Sequence, residues 1–219
     1  MLIISFVVAL TVIVIITICL HIFLKNYITN FDKGVQKKKQ YWIQVIKQCE
    51  INGNYHMQKR KIIRLANPQF LKAFYSLLVE EENGVCRVLE QNDYQICHII
   101  KKNNSKTVKA YFAYILGKIP ENEKKVLEKY SDLMFEFLMK DSVYMRENAL
   151  KVLYHLGNSG KVAKAFECLS EQYIFHSVKL LTDGLMTYGG SSEELVCSKQ
   201  FCYFFKSNLY FSQRFGDHI

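Results

Sequence analysis

Proline is almost missing from this sequence, at Pro68 and Pro120 only, and glycine is held to ten of 219 residues. A loop-rich or many-stranded fold needs such breakers at short intervals. No stretch alternates polar and apolar residues between turn signals, which argues against a sheet. The first 24 residues lack any charged side chain. The cysteines number seven, an odd count with no C-x-x-C pair, where a disulfide framework would be denser and even-numbered. Reduced, buried thiols in a cytoplasmic domain are therefore expected. No G-x-x-x-x-G-K-[ST], G-x-G-x-x-G or G-x-S-x-G segment is present to cradle a phosphate or present a nucleophile. None of the six histidines has another histidine or a carboxylate three or four positions away, the spacing that puts two ligands on one helical face. No catalytic residue, cofactor site or metal ligand is expected, and the chain does not look like an enzyme.

What the sequence does contain begins with an apolar run. Leu2 to Leu24 is interrupted only by Ser5, Thr11, Thr17 and His21 among polar side chains. As a helix it would be about 35 Å long, against a hydrocarbon core of about 30 Å. A cleaved signal peptide would need a basic start, a shorter apolar core and a small-x-small exit. Here no Lys or Arg precedes the run, and it ends in bulky residues before Lys25, so residues 1–24 are predicted to be a transmembrane anchor. Lys25, Lys33 and Lys37–Lys39 all follow the run, and positive flanks stay cytoplasmic. The expected location is a cell membrane, single-pass, with the bulk of the chain cytoplasmic. Tyr27 and the lone Trp42 could anchor at the interface, although Trp42 suits a core equally well.

Charge is unevenly placed. Residues 25–64 hold ten basic side chains against Asp32 and Glu50, which leaves a charge of only +1 for the rest of a chain whose total is +9. That segment, 25–66, reads as a basic juxtamembrane helical region. Lys37, Lys38 and Lys39 are the candidate contacts to anionic lipid head groups, each worth about 1 kcal/mol near such a surface. A solvated face, or a nucleic-acid contact as the less favoured alternative, would use the same residues. Glu80-Glu81-Glu82 is either a solvated helix end or a partner contact.

Beyond Lys25 the chain reads as helix after helix. Trp42, Val45, Ile46 and Cys49 share a face over 36–50, before Asn52-Gly53 stops them. Further helices are predicted at 57–66, 68–82, 85–102, 105–118, 122–140, 142–157, 160–171, 174–188 and 191–206. An internal repeat runs through them. Arg146, Ala149, Leu153 and Leu156 form a packing stripe that ends at Gly157, where a left-handed residue suits a helix end. Forty residues earlier, Lys106, Ala110, Ala113, Leu116 and Gly117 match Arg146, Leu150, Leu153, Leu156 and Gly157. Thirty-two residues later, Leu185, Tyr188 and Gly189 match Leu153, Leu156 and Gly157. Two helices per period of 30–45 residues suggests an α-solenoid.

At these residues the chain resembles the HEAT-repeat family, with armadillo-like or unclassified hairpins as neighbouring descriptions. The resemblance is fullest over 105–190. It implies an all-α fold in which an N-terminal transmembrane helix is followed by a solenoid of HEAT-like hairpins over 67–219. The layout is similar to small membrane-tethered bacterial HEAT proteins, which implies a scaffold or adaptor that binds a protein partner. The same resemblance suggests service beside a membrane enzyme of surface-polysaccharide synthesis. Alternatives are a HEAT-like lyase or hydroxylase with an unrecognised site, or a membrane-linked nucleic-acid-binding protein. The aromatic-rich end, Phe201 to Phe211, is expected to reflect either truncation of a longer chain or a docking surface.

Overall fold

The computed structural model describes residues 2–140, 142–171 and 188–196, and among them every regular element is helical. The predicted helix at 174–188, most of the one at 191–206 and the aromatic-rich end lie outside the described residues.

The first helix, α1, runs from Leu2 to Asn52 without a break. The sequence divided this stretch into an anchor ending at 24 and a second helix at 36–50. No proline interrupts 25–35, and the backbone hydrogen bonds continue through Gly34. At 1.5 Å per residue α1 is about 77 Å long. Leu10, Ile13, Ile16, Leu20, Phe23 and Ile28 are all exposed, and no residue of its most apolar stretch is buried. From Phe31 onward the character of the helix changes. Val35, Trp42, Val45, Ile46 and Cys49 enter the core, with Trp42 donating its indole N–H to the Phe70 carbonyl at 3.0 Å.

A short helical turn, α2 (Lys59–Ile62), passes into a 3-10 turn and then α3 (Pro68–Glu80). Asn67 caps α3 by accepting from the Gln69 and Phe70 amides, while Pro68 fills the first position, where no donor is missed. Next come α4 (Glu82–Gln91) and α5 (Asp93–Lys102). The sequence joined these as one helix at 85–102. Asn92 parts them, because its buried side chain is occupied elsewhere. It accepts from the Met57 amide and donates to the carbonyls of Tyr55 and Val88, fastening the loop that follows α1.

The chain continues through α6 (Lys106–Leu116), α7 (Lys125–Glu128) and α8 (Ser131–Leu138). The helix predicted at 122–140 is broken between α7 and α8, where fully buried Tyr130 turns inward and donates to the Leu89 carbonyl at 2.8 Å. The remaining helices are α9 (Val143–Leu156), α10 (Ser159–Glu171) and a short α11 (Ser192–Val196).

Helices α1, α3, α6 and α9 pack in succession and point the same way. Gln69 lies against Gly34, and Gly84 beyond α3 lies against Ile46, so the two chains advance together. The Asn148 amide donates to the Ala110 carbonyl, and Gly117 faces Val152, so α6 and α9 do likewise. Tyr75 meets both Tyr111 and Tyr114, linking α3 to α6.

The packing stripe on α9 is distributed as follows. Ala149 and Leu153 are fully buried, Arg146 is buried and donates to the Lys140 carbonyl, and Leu156 is only half-buried at the edge. Gly157 is left-handed at φ 73°, and a Cβ there would lie 2.7 Å from the backbone of Gly189. The matched Gly117 is right-handed at φ −68°, and Lys106 is exposed where Arg146 is buried. The repeat is therefore inexact at both ends of its motif.

Leu153→Ala should cost about 2–5 kcal/mol, because a fully enclosed side chain leaves a cavity. Lys151→Ala, on the exposed side of α9, should stay within about 0.5 kcal/mol. Denaturant unfolding of the detergent-solubilised chain, followed by loss of helical ellipticity, measures both.

Candidate functional site

Among the described residues, a concavity lies between α6 and α9. It has a volume of about 470 Å³ and is lined by Lys106, Thr107, Tyr111, Tyr114, Ser142, Tyr144 and Asn148. A second hollow of about 220 Å³ shares Thr107 and Tyr111 and continues to Pro68, Leu71, Lys72 and Phe31. Together they form one groove that ends against the stem of α1.

Aromatic packing builds its floor. Tyr111 and Tyr114 stack at 5.8 Å with an interplanar angle of 12°, and the Tyr75 and Tyr114 hydroxyls lie 3.4 Å apart. One turn separates Tyr111 from Tyr114, so both project from the same side of α6. Burial, and then the neighbouring phenols, push the Tyr111 hydroxyl up to about 12, and the hydrogen bond shared with Tyr114 followed by burial raises that of Tyr75. Tyr75 and Tyr111 are thus neutral phenols at physiological pH. Tyr144, 75% exposed, stands at the rim, and Ser105 caps α6 beneath it. The spacing of these tyrosines is visible in the sequence, but nothing local says which aromatic will be covered.

The lysine triplet assigned to head groups is divided by the fold. Lys37 is exposed, whereas Lys38 lies 5.3 Å above the Phe70 ring and Lys39 pairs with Glu80 at 2.6 Å. Lys37 also sits thirteen residues past Leu24 on a continuous helix, a rise of about 20 Å. Lys39 instead gives Glu80 a partner across the α1–α3 contact.

Elsewhere, polar groups serve the packing. Burial pushes the Cys86 and Cys97 thiols up to about 12, with nearby carboxylates adding to it, and leaves both protonated at neutral pH. Among the described residues no three His, Cys, Asp or Glu side chains converge as metal ligands.

No protein-family model matches the chain, and no curated protein and no solved structure is detectably similar to it.

Raised thiol pKa values in the folded state give stability that is complete below about 9 and lost as pH climbs toward about 12. Iodoacetamide at neutral pH should therefore leave Cys86 and Cys97 unmodified in the native chain and alkylate them in denaturant. Mass mapping of the carboxamidomethylated peptides measures this, and native-state labelling of Cys86 would contradict its placement.

Proposed function

We propose that this chain is a membrane-tethered scaffold, with α1 as its single-pass anchor and the helical domain in the cytoplasm. The domain reads as a short HEAT-like α-solenoid in which α3, α6 and α9 form one layer, and it binds a protein partner. The observation that carries this is the tyrosine groove ending at the stem. Tyrosine supplies a large contact area with one polar tip and few torsions to immobilise, which is why it is enriched at protein interfaces. Thr107, Ser142 and Asn148 add hydrogen-bonding groups around it. The groove is open and aromatic-floored, which suits a partner's side chains.

Its position narrows the partner. Phe31 lies seven residues beyond Leu24, a rise of about 11 Å, so the groove opens just above a head-group layer of roughly 5–8 Å. A partner lying at that level is itself a membrane protein, in keeping with an accessory role beside a membrane enzyme. Surface-polysaccharide synthesis enters only through the family resemblance.

Two measurements test this reading. With the native cysteines replaced, Asn158→Cys in the turn before α10 should resist a membrane-impermeant thiol reagent in intact cells and react after permeabilisation. Prompt labelling of intact cells would reverse the orientation. For the groove, a photo-crosslinking residue at Tyr144 should give one discrete adduct with a membrane protein, and the same residue at the equally exposed Tyr94 should give none. Tyr114→Ala should weaken that adduct, by more than about 1 kcal/mol of binding energy if Tyr114 is an anchor of the interface. Identical adducts at 144 and 94 would remove the groove from the proposal.

A further inference from the structure

The two ends of the helical domain differ in charge, and the difference has a direction. Since α1, α3, α6 and α9 run the same way, the N-terminal ends of α3, α6 and α9 gather at one end of the domain, beside Phe31 of α1. The loops entering them are neighbours there. The Asn103 side chain donates to the Ala66 carbonyl at 3.0 Å, and Lys106 and Ser142 line one cavity.

This end exposes Lys33, Lys102, Lys106 and Lys140. Two further lysines there are already engaged, Lys72 with Asp32 at 3.0 Å and Lys101 with Glu136 at 2.6 Å. Asp141 is the one other acidic residue in the loop segments 63–67, 101–106 and 139–143. The same loop segments also expose apolar side chains, Ile63, Met139 and Val143. At the opposite end, residues 80–83 bring Glu80, Glu81 and Glu82 in a row and 117–125 adds Glu121 and Glu123, but Lys118, Lys124 and Lys125 and the run Lys59-Arg60-Lys61 after α1 leave that end close to neutral.

We infer that the stem-side end of the domain docks on the anionic lipid surface of the bilayer that holds α1. This rests on the anchored reading above and adds a second contact, made by the loops before α3, α6 and α9 and by Lys33 on α1. The stem places them at the right depth. Phe31 and Lys33 follow Leu24 by seven and nine residues, or about 11 and 14 Å of helix rise, which is about one screening length of 8 Å beyond a head-group layer of roughly 5–8 Å. Lysine ammonium groups meet lipid phosphates, while Ile63, Met139 and Val143 enter the interfacial layer, the combination by which peripheral surfaces hold to acidic membranes. Docking also fixes the mouth of the tyrosine groove at the lipid surface.

The test uses the full chain with Met139→Trp, reconstituted in vesicles of phosphatidylcholine with or without phosphatidylglycerol, each carrying bromine on the acyl chains near the head group. Native Trp42 is fully buried and serves as the unquenched background. The expected result is strong quenching of the introduced indole with phosphatidylglycerol, several-fold weaker quenching without it, and a steady loss as salt is raised. Replacing Lys33, Lys102, Lys106 and Lys140 together by Gln should abolish the difference between the lipids. Replacing Glu80, Glu81 and Glu82 by Gln should leave it. If the four-lysine variant loses helical ellipticity, the salt series on the Met139→Trp chain decides alone. Flotation of the chain with the vesicles separates the two readings, since a chain that does not float fails as an anchored protein. A chain that floats yet shows no quenching in either lipid overturns the docking and leaves this end to a protein partner. Equal, salt-independent quenching in both lipids overturns the role of the lysines.

Discussion

The unbroken hydrogen-bond ladder of α1 is the constraint on which the arrangement depends. One helix carries exposed apolar residues to Ile28 and then, within a turn, begins to supply core residues at Phe31 and Val35. A flexible linker would let the domain wander at the membrane. A helix transmits position and rotation, because each residue adds a fixed rise and a fixed angle. Trp42 secures the transition: its ring packs edge-on against Phe70 and Phe74, and its N–H reaches the Phe70 carbonyl. The ion pairs of Asp32 with Lys72 and Lys39 with Glu80 bracket that contact. Both are partly exposed, so they help to register α3 on α1 more than they stabilise it.

From that seam the like-directed packing propagates. Phe74, Phe112, Phe137 and Phe166 are fully enclosed, and each succeeding helix covers the apolar face of the one before it. Like-directed helices need return segments, and here α5, α8 and α10 provide them. The interruptions at Asn92 and Tyr130 are both sites where a buried polar group satisfies a neighbouring segment's backbone, since an unpaired buried donor or acceptor costs about 1–3 kcal/mol. Loops therefore fall into two sets at opposite ends, one exposing mainly lysine and the other mixing glutamate with lysine and arginine. The groove and the lysine-bearing loops are brought to the same side of the domain by this packing.

Burial also decides what the polar side chains do. The thiols of Cys86 and Cys97 and the hydroxyl of Tyr111 are held neutral by their surroundings, which makes them shape-filling groups. Tyr144 and the exposed lysines remain accessible, so the recognisable chemistry is that of contact surfaces.

Some of this was legible without coordinates. The apolar run, the scarcity of proline and the 3.6-residue spacing of Trp42, Val45, Ile46 and Cys49 determine a helical chain with one long apolar segment, because those signals are local. The burial of Ala149 and Leu153 follows from the same periodicity. Other features were decided only by the tertiary structure. Whether residues 25–35 continue the helix, or whether 85–102 and 122–140 break, depends on contacts such as those of Gln69 with Gly34, Asn92 with Tyr55 and Met57, and Tyr130 with Leu89. Lys37, Lys38 and Lys39 look alike in sequence, yet Phe70 and Glu80, more than thirty positions away, take two of them. Periodicity places a side chain on a face of its own helix. What covers that face is set by residues distant in the chain, and so the groove and the charged end exist only in the folded arrangement.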